Sequence, residues 1–228
     1  LASKALVNNI QAGNYDEHLA LLADCDVIIE AIAERLDWKK SLYAKILPFV
    51  GPKAILASNT SGLSINALSQ VLDESLHHRF CGLHFFNPPR YMHLVELIPC
   101  ASTDTDVLVS LETFLVSTLG KGVVYAKDTP NFIGNRIGVF SILSILHHTE
   151  QFRMGFDEVD ALTGPLIGRP KSATYRTCDV VGLDTMGHVI KTMADTLPDD
   201  PWHGHFAAPA WLKALIEKRA IKAADGKI

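Results

Sequence analysis

The chain has 228 residues, of which 48 % are hydrophobic and 20 % are charged. This share of apolar side chains can bury a substantial core, so the composition excludes an intrinsically disordered chain. The formal net charge of −4 excludes the basic surface that nucleic acids require, so we predict no nucleic-acid partner.

The first half of the chain alternates between strand and helix patterns. Continuous β-branched or apolar runs predict strands at 25–33, 53–58, 80–86, 93–99 and 122–128. Apolar residues at helical spacing predict helices at 36–50, 65–72 and 105–119. The first run is typical of a strand that is buried on both faces. Strands separated by helices predict an α/β domain with a mostly parallel sheet.

After Asp128 the pattern changes to helices alone. Pro130 is typical of the first turn of a helix, so we predict a long helix over residues 130–152. Further helical patterns follow at 157–166, 181–197 and 208–222. We therefore predict a domain boundary near residue 128, with an α/β domain at 1–128 and an all-helical domain at 129–228.

Two further patterns bear on where the protein works. The longest strongly apolar stretch, residues 137–146, is shorter than the ~20 residues that a bilayer requires, so we predict no membrane span. The cysteines are widely spaced and form no CxxC pair, which predicts reduced thiols in a cytoplasmic protein. No carboxylate or cysteine lies at ligand spacing from the histidine pairs, so we predict no metal site.

Residues 82–99 place a histidine and a carboxylate within strand-like apolar runs. Such side chains cost desolvation energy when buried unless a partner satisfies them. Pro88 and Pro89 predict a turn, so the flanking strands would pair antiparallel and His84 would face Glu96. A facing carboxylate fixes the imidazole tautomer and stabilises the imidazolium, which suits a general base. A structural pair without a substrate is the alternative that the spacing leaves open.

Polar side chains also follow the first two predicted strands. They are Glu30, Glu34, Lys39 and Lys40 after the first strand, and Ser58, Asn59 and Thr60 after the second. Ligands of parallel sheets bind at the carboxyl ends of the strands, so these residues lie where a ribose or a substrate oxygen would bind. The second group could equally cap the following helix, and the spacing leaves both interpretations open.

Four stretches resemble the L-3-hydroxyacyl-CoA dehydrogenase family in order and approximate spacing. They are DVIIEAIAERLDWKKSLY (26–43), SNTSGLSI (58–65), GLHFFNPPRYMHLVELI (82–98) and KDTPNFIGNRIG (127–138). The resemblance covers nearly the whole α/β half and the start of the helical half. It implies a Rossmann-type sheet followed by a helical domain that supplies dimer contacts.

The resemblance also implies roles for individual residues. His84 matches the general base that removes the hydroxyl proton, and Glu96 matches its orienting partner. Ser61 and Asn135 match polar residues around the substrate oxygens and the histidine. The positions that match the surroundings of the cofactor's ribose and nicotinamide are Ala31, Glu34, Lys39, Ser61 and Asn87.

The activity that the resemblance implies is NAD-dependent oxidation of L-3-hydroxyacyl-CoA to 3-oxoacyl-CoA in fatty-acid β-oxidation. The implied partners are an acyl-CoA thioester, a second copy of the chain, and an enoyl-CoA hydratase domain fused in the parent protein. A related dehydrogenase for another hydroxy acid and a non-catalytic acyl-CoA-binding module are the alternatives.

One departure from the family concerns the cofactor. The glycine-rich turn G-x-G-x-x-G after the first strand is absent from residues 1–228, which we therefore interpret as an N-terminally truncated Rossmann-type domain. Because this turn holds the pyrophosphate in such folds, we expect residues 1–228 alone to bind NAD weakly and to be inactive.

Overall fold

The computed structural model describes the backbone of residues 4–224 and the side chains of residues 5–218. The chain divides into two compact units, with the division between Asp128 and Thr129. Within the described part of the chain, no helix is both long enough and apolar enough to cross a membrane.

The first unit is built on a five-stranded sheet. Its strands are β1 (Val27–Glu30), β2 (Ile55–Ser58), β3 (Phe80–Phe85), β4 (Leu94–Pro99) and β5 (Gly122–Tyr125), and they lie side by side in that order. The β3–β4 pair is antiparallel, and the other three pairs are parallel. The mostly parallel sheet that the sequence predicts is confirmed.

Four α-helices connect these strands. They are α1 (Leu36–Ile46), α2 (Ile65–Ser69), α3 (Glu74–His77) and α4 (Thr105–Ser117). Leu111 and Leu115 of α4 are buried in one cluster with Leu83 of β3 and Leu97 of β4. Burial of these apolar side chains holds the antiparallel pair in place from one side.

The prediction that the first strand is buried on both faces is wrong for β1. Ile28 and Glu30 are buried, whereas Ile29 between them is 45 % exposed. Because successive side chains of a strand point to opposite faces, this alternation shows that β1 packs through one face only.

The antiparallel pairing predicted from the two prolines is confirmed. Phe85 lies opposite Val95, and His84 lies opposite Glu96. Because successive side chains of a strand point to opposite faces, a shift of one residue would move the histidine and the carboxylate apart.

The regular secondary structure described in the second unit is helical. Its α-helices are α5 (Gly134–Phe152), α6 (Phe156–Thr163), α7 (Tyr175–Val181), α8 (Leu183–Thr196) and α9 (Ala210–Ala224). Leu143 and Leu146 of α5 pack in one buried core with Ile190 and Met193 of α8.

The predicted start of the long helix at Pro130 is wrong. Asn131 and Phe132 have φ angles of 61° and 48°, in the left-handed region, and the helix begins at Gly134. Phe132 is buried, so packing of its ring favours a backbone conformation that a bulky residue otherwise avoids.

The sequence pattern did not predict helix α7. Its first turn is capped from another helix, because the Asp160 carboxylate of α6 accepts hydrogen bonds from the backbone N–H groups of Thr174, Tyr175 and Arg176. Such a cap depends on tertiary packing, so the local sequence carries little sign of it.

Candidate active site

A buried histidine–carboxylate pair lies on the antiparallel strands of the first unit. The Nδ1 atom of His84 is 2.7 Å from an Oε2 oxygen of Glu96. The two residues are 3 % and 0 % exposed. At this distance the carboxylate accepts a hydrogen bond from Nδ1–H, which fixes the imidazole tautomer. The arrangement is suited to proton transfer at the other ring nitrogen, Nε2.

The end of β3, next to this pair, is hydrogen-bonded to the residue that follows β2. The side-chain oxygen of Asn59 accepts a hydrogen bond from the backbone N–H of Phe85, at 2.9 Å. The ring of Phe86 lies beside the imidazole of His84, with 4.6 Å between the ring centroids. These contacts hold the backbone immediately after the histidine.

A second buried carboxylate lies where β1 and β2 end. Glu30 accepts hydrogen bonds from the hydroxyl groups of Ser58 and Tyr43 at 2.7 and 3.0 Å, and it pairs with the ammonium of Lys39 at 2.6 Å. Burial and the adjacent Glu30 charge raise the pKa of Tyr43, so its phenol stays protonated and donates to the carboxylate.

The carboxylate of Glu34 organises the turn that follows β2. It accepts a 2.6 Å hydrogen bond from the hydroxyl of Thr60 and a second one from the backbone N–H of Ser61. The Thr60 hydroxyl in turn accepts from the backbone N–H of Leu63. These hydrogen bonds join the β1–α1 loop to the β2–α2 turn. Both segments are predicted to surround a cofactor.

The carboxylate of Asp128 caps the N-terminus of helix α2. Both Asp128 oxygens accept hydrogen bonds from α2, including the backbone N–H groups of Ile65 and Asn66 at 2.8 Å each. The hydroxyl of Ser64 also donates to Asp128, at 2.8 Å. This cap fixes the helix that follows the Ser61 turn.

The predicted site residues occupy different environments. Within the first unit, His84 lies against Glu96 and Glu34 contacts Ser61. Ala31 and Asn87 are exposed, Ser61 is half-buried, and Asn135 lies in the first turn of α5 in the second unit. The role of each residue in binding or catalysis stays a prediction.

Lys39 lies in a buried ion pair. Its side chain is buried against Glu30, and its ammonium contacts only protein acceptors among its recorded partners. The predicted role of Lys39 near the cofactor stays a prediction.

The sequence pattern places Glu30 and Asn59 near strand ends but does not predict the hydrogen bonds by which they hold the strand ends together. The sequence does indicate such a role for Glu30. A carboxylate inside a β-branched run needs a hydrogen-bond or ion-pair partner when it is buried, as His84 does. No comparable signal identifies the role of Asp128, whose partners lie 62–64 residues away in sequence.

Both units match models of one family. Residues 2–129 match the model described as 3-hydroxyacyl-CoA dehydrogenase, NAD binding domain, and residues 132–227 match its C-terminal domain. The chain belongs to the 3-hydroxyacyl-CoA dehydrogenase family. The resemblance seen in the sequence motifs is thereby confirmed.

Relatives in this family differ widely in length. A probable 3-hydroxyacyl-CoA dehydrogenase of Deinococcus radiodurans is 45 % identical over 191 residues, which cover 84 % of this chain and 55 % of the relative. A Rickettsia felis protein named for a trifunctional enzyme of the fatty acid oxidation complex is 37 % identical, over 94 % of this chain and 30 % of the relative. The chain thus spans about half or less of these curated relatives.

A solved structure in the family has the same fold. The crystal structure of (S)-3-hydroxybutyryl-CoA dehydrogenase from Ralstonia eutropha has a TM-score of 0.77 and 29 % identity to this chain. The similarity covers 88 % of this chain and 68 % of that chain. It supports the Rossmann-type sheet followed by a helical domain as the fold of this family member.

The chemistry of the groups at the strand ends fits one half of NAD. The Ser61 hydroxyl, the exposed Asn87 carboxamide and the exposed backbone at Ala31 are neutral donors and acceptors. Ribose hydroxyls and the nicotinamide carboxamide require such groups. Their chemistry is therefore compatible with the nicotinamide end of a dinucleotide, and the role of each residue stays a prediction.

Proposed function

We propose that the full-length gene product oxidises L-3-hydroxyacyl-CoA to 3-oxoacyl-CoA with NAD, and that His84 is its general base. The observation that carries this proposal is the buried His84–Glu96 pair, at 2.7 Å across the antiparallel strands. Family membership supports the reaction class, and the names of the relatives support a 3-hydroxyacyl-CoA substrate.

In the proposed mechanism, His84 accepts the proton of the substrate's 3-hydroxyl group. Bound NAD supplies the acceptor for the hydride that leaves C3. The carboxylate of Glu96 holds the Nδ1–H tautomer, so that Nε2 is the atom that receives the proton. The negative charge of Glu96 also stabilises the imidazolium that forms.

Other residues complete the proposed site. We assign Ser61 and Asn135 to the substrate oxygens and the histidine, and Ala31 and Asn87 to the nicotinamide end of NAD. Glu34 supports this site through its hydrogen bonds to the Ser61 turn. In this proposal residues 1–128 bind the cofactor, and residues 129–228 form the helical domain of the dehydrogenase.

The proposed context is fatty-acid β-oxidation. The Rickettsia felis relative is named for a trifunctional enzyme of the fatty acid oxidation complex, and this chain covers 30 % of it. We therefore also propose that the gene product is fused to an enoyl-CoA hydratase domain. The cytoplasmic location predicted from the sequence is consistent with four free thiols and stays a prediction.

We further propose a homodimer through the helical unit. Several large apolar side chains of this unit are exposed, including Ile137 at 62 %, Leu166 at 80 % and Val180 at 76 %. An isologous interface would remove such side chains from water. Sedimentation of the full-length gene product as a monomer at micromolar concentration would contradict the dimer.

The assay that tests the proposed activity uses the full-length gene product, NAD and L-3-hydroxybutyryl-CoA. We expect NADH formation with the L-isomer and none with the D-isomer. Turnover of a free hydroxy acid but not of the thioester would instead support a related dehydrogenase. Binding of acyl-CoA without any turnover would support a non-catalytic binding module.

A further inference from the structure

The helix that carries Asn135 begins without a polar capping side chain. Helix α5 starts at Gly134, and its N-cap residue is Ile133, whose apolar side chain cannot accept a hydrogen bond from the first turn. Helix ends fray, and the first backbone N–H groups of a helix have no partner within the helix. The orientation of this turn therefore depends on tertiary contacts.

Arg136 makes such a contact from the first turn of α5. Its guanidinium contacts the carboxylate of Asp200, which lies 64 residues further along the chain, in the connection between α8 and α9. A cation in the first turn is unfavourable beside the positive end of the helix dipole. Local helix energetics therefore disfavours an arginine at this position, and the ion pair with Asp200 offsets that cost.

The carboxylate of Asp200 is held by donors on both of its oxygens. Oδ1 accepts a hydrogen bond from the backbone N–H of Trp202 at 2.8 Å, and Oδ2 contacts Arg136. The Trp202 N–H and the Arg136 guanidinium hold the pKa of Asp200 below its ordinary value, so the carboxylate is ionised at neutral pH. The Asp200 side chain is only 6 % exposed, so water screens this pair less than a fully exposed pair.

Aromatic rings continue this contact along α5. The ring of Trp202 lies 5.4 Å from that of Phe140, four residues after Arg136, and the ring of His205 lies 6.0 Å from the same phenylalanine. The α8–α9 connection thus packs along the first two turns of α5. The ion pair lies at the end of this contact that is next to Asn135 in sequence.

We propose that Arg136 and Asp200 are positioning residues, which fix the first turn of α5 so that Asn135 presents its carboxamide to the substrate oxygens. The inference rests on the proposed function, because that function assigns Asn135 to these oxygens. A side chain orients a substrate only while the backbone that carries it is fixed. Loss of the ion pair should therefore reduce turnover only where Asn135 is present.

The test compares Asp200→Asn in two backgrounds of the full-length gene product, the unmodified chain and Asn135→Ala. We expect Asp200→Asn to lower kcat/KM for L-3-hydroxybutyryl-CoA about tenfold in the unmodified chain and less than about twofold in Asn135→Ala. A merely structural role would reduce kcat/KM by the same factor in both backgrounds. Equal losses in the two backgrounds, or no loss in either, would overturn the proposal.

The matched control is Asp195→Asn, which removes the exposed ion pair between Lys191 and Asp195 on α8. We expect its kcat/KM to stay within about twofold of wild type. The dissociation constant for NADH should stay within about twofold in Asp200→Asn as well, because the proposed effect concerns the substrate oxygens. A parallel loss of NADH affinity would overturn the proposal.

Substitutions of Arg136 test whether the charge matters. We expect Arg136→Met to lose about as much kcat/KM as Asp200→Asn, since each variant breaks the same pair. Arg136→Lys keeps the positive charge and should recover at least about threefold of that loss. Equal losses for the methionine and lysine variants would overturn the proposal.

A further readout needs no substrate. The backbone N–H of Ile137 donates to the backbone oxygen of Ile133 at 2.9 Å, in the first turn of the helix. Hydrogen exchange of this amide should accelerate in Asp200→Asn and stay unchanged in Asp195→Asn. Unchanged exchange in Asp200→Asn would overturn the proposal. Absence of thioester turnover in the unmodified protein, with accelerated exchange in Asp200→Asn, would count against the proposed function alone.

Discussion

The imidazole Nδ1 of His84 and the carboxylate of Glu96 lie 2.7 Å apart on facing positions of two antiparallel strands. Neither residue is exposed by more than 3 %. A buried pair of this kind costs desolvation energy, and in the proposed function this cost is offset because the carboxylate orients the imidazole for proton transfer.

Replacement of Glu96 by Gln should reduce turnover without abolishing substrate binding. The variant keeps the shape of the side chain but loses the charge that stabilises the imidazolium, so we expect kcat to fall about 10²- to 10⁴-fold with a small change in KM. Steady-state kinetics of the full-length gene product measure both constants. Glu112→Gln, which changes a half-buried carboxylate that accepts a hydrogen bond from Tyr125, is the control and should behave like wild type.

The glycine at position 82 should be required for packing between β3 and α2. A Cβ at this position would lie 2.7 Å from Cδ1 of Ile65 and 3.0 Å from Cβ of Ile98. We expect Gly82→Ala to lower the free energy of unfolding of the first unit by about 1–3 kcal/mol. The measurement is the urea concentration at which peptides of this unit become protease-sensitive.

Gly122→Ala is the matched control for this variant, because a Cβ at Gly122 meets no heavy atom within 4 Å. We expect its urea midpoint to stay close to that of wild type. Equal midpoints for both alanine variants would show that the packing around β3 is looser than the structure describes.

Loss of the Asp128 carboxylate should loosen the start of α2. Asp128→Ala removes the acceptor of the Ile65 and Asn66 amides, and caps of this kind contribute about 0.5–2 kcal/mol. We expect hydrogen exchange of these two amides to accelerate, with the rest of the sheet unaffected. Asp106→Ala, an exposed acid in the first turn of α4, provides the comparison and should leave α2 unchanged.

The rate at which each cysteine is alkylated should decrease with the burial of its thiol. Desolvation raises the pKa of Cys81 to about 12 and that of Cys178 to about 11. Because the thiolate is the reactive form, both thiols stay protonated at pH 8 and gain reactivity only as the pH approaches these values. In native protein at pH 8 we expect iodoacetamide to modify the partly exposed Cys25 first. Equal labelling of Cys81 and Cys25 would contradict the described core, and labelling in urea is the control.

The sequence predicted the parts of the site that depend on local geometry. The pairing of His84 with Glu96 follows from a short connection between two strands and from the two-residue period of side chains, so the order of the residues alone is enough to predict it. The mostly parallel sheet follows similarly from the alternation of strand and helix patterns.

Features that depend on packing between distant segments could not be predicted. The Glu30–Lys39 pair requires the angle at which α1 lies on β1, which no spacing rule gives. The start of α5 at Gly134 rather than Pro130 depends on left-handed backbone at Asn131 and Phe132, where the buried Phe132 ring packs. Each of these is an outcome of tertiary contacts that override local preference.

The most direct test of the central claim is the turnover of His84→Gln in the full-length gene product, with saturating L-3-hydroxybutyryl-CoA and NAD. If His84 is the general base, kcat falls about 10²- to 10⁴-fold while the dissociation constant for NADH stays within about twofold of wild type. His78→Gln, at an exposed histidine just before β3, keeps wild-type turnover. A kcat for His84→Gln within about tenfold of wild type would contradict the assignment of His84 as the base.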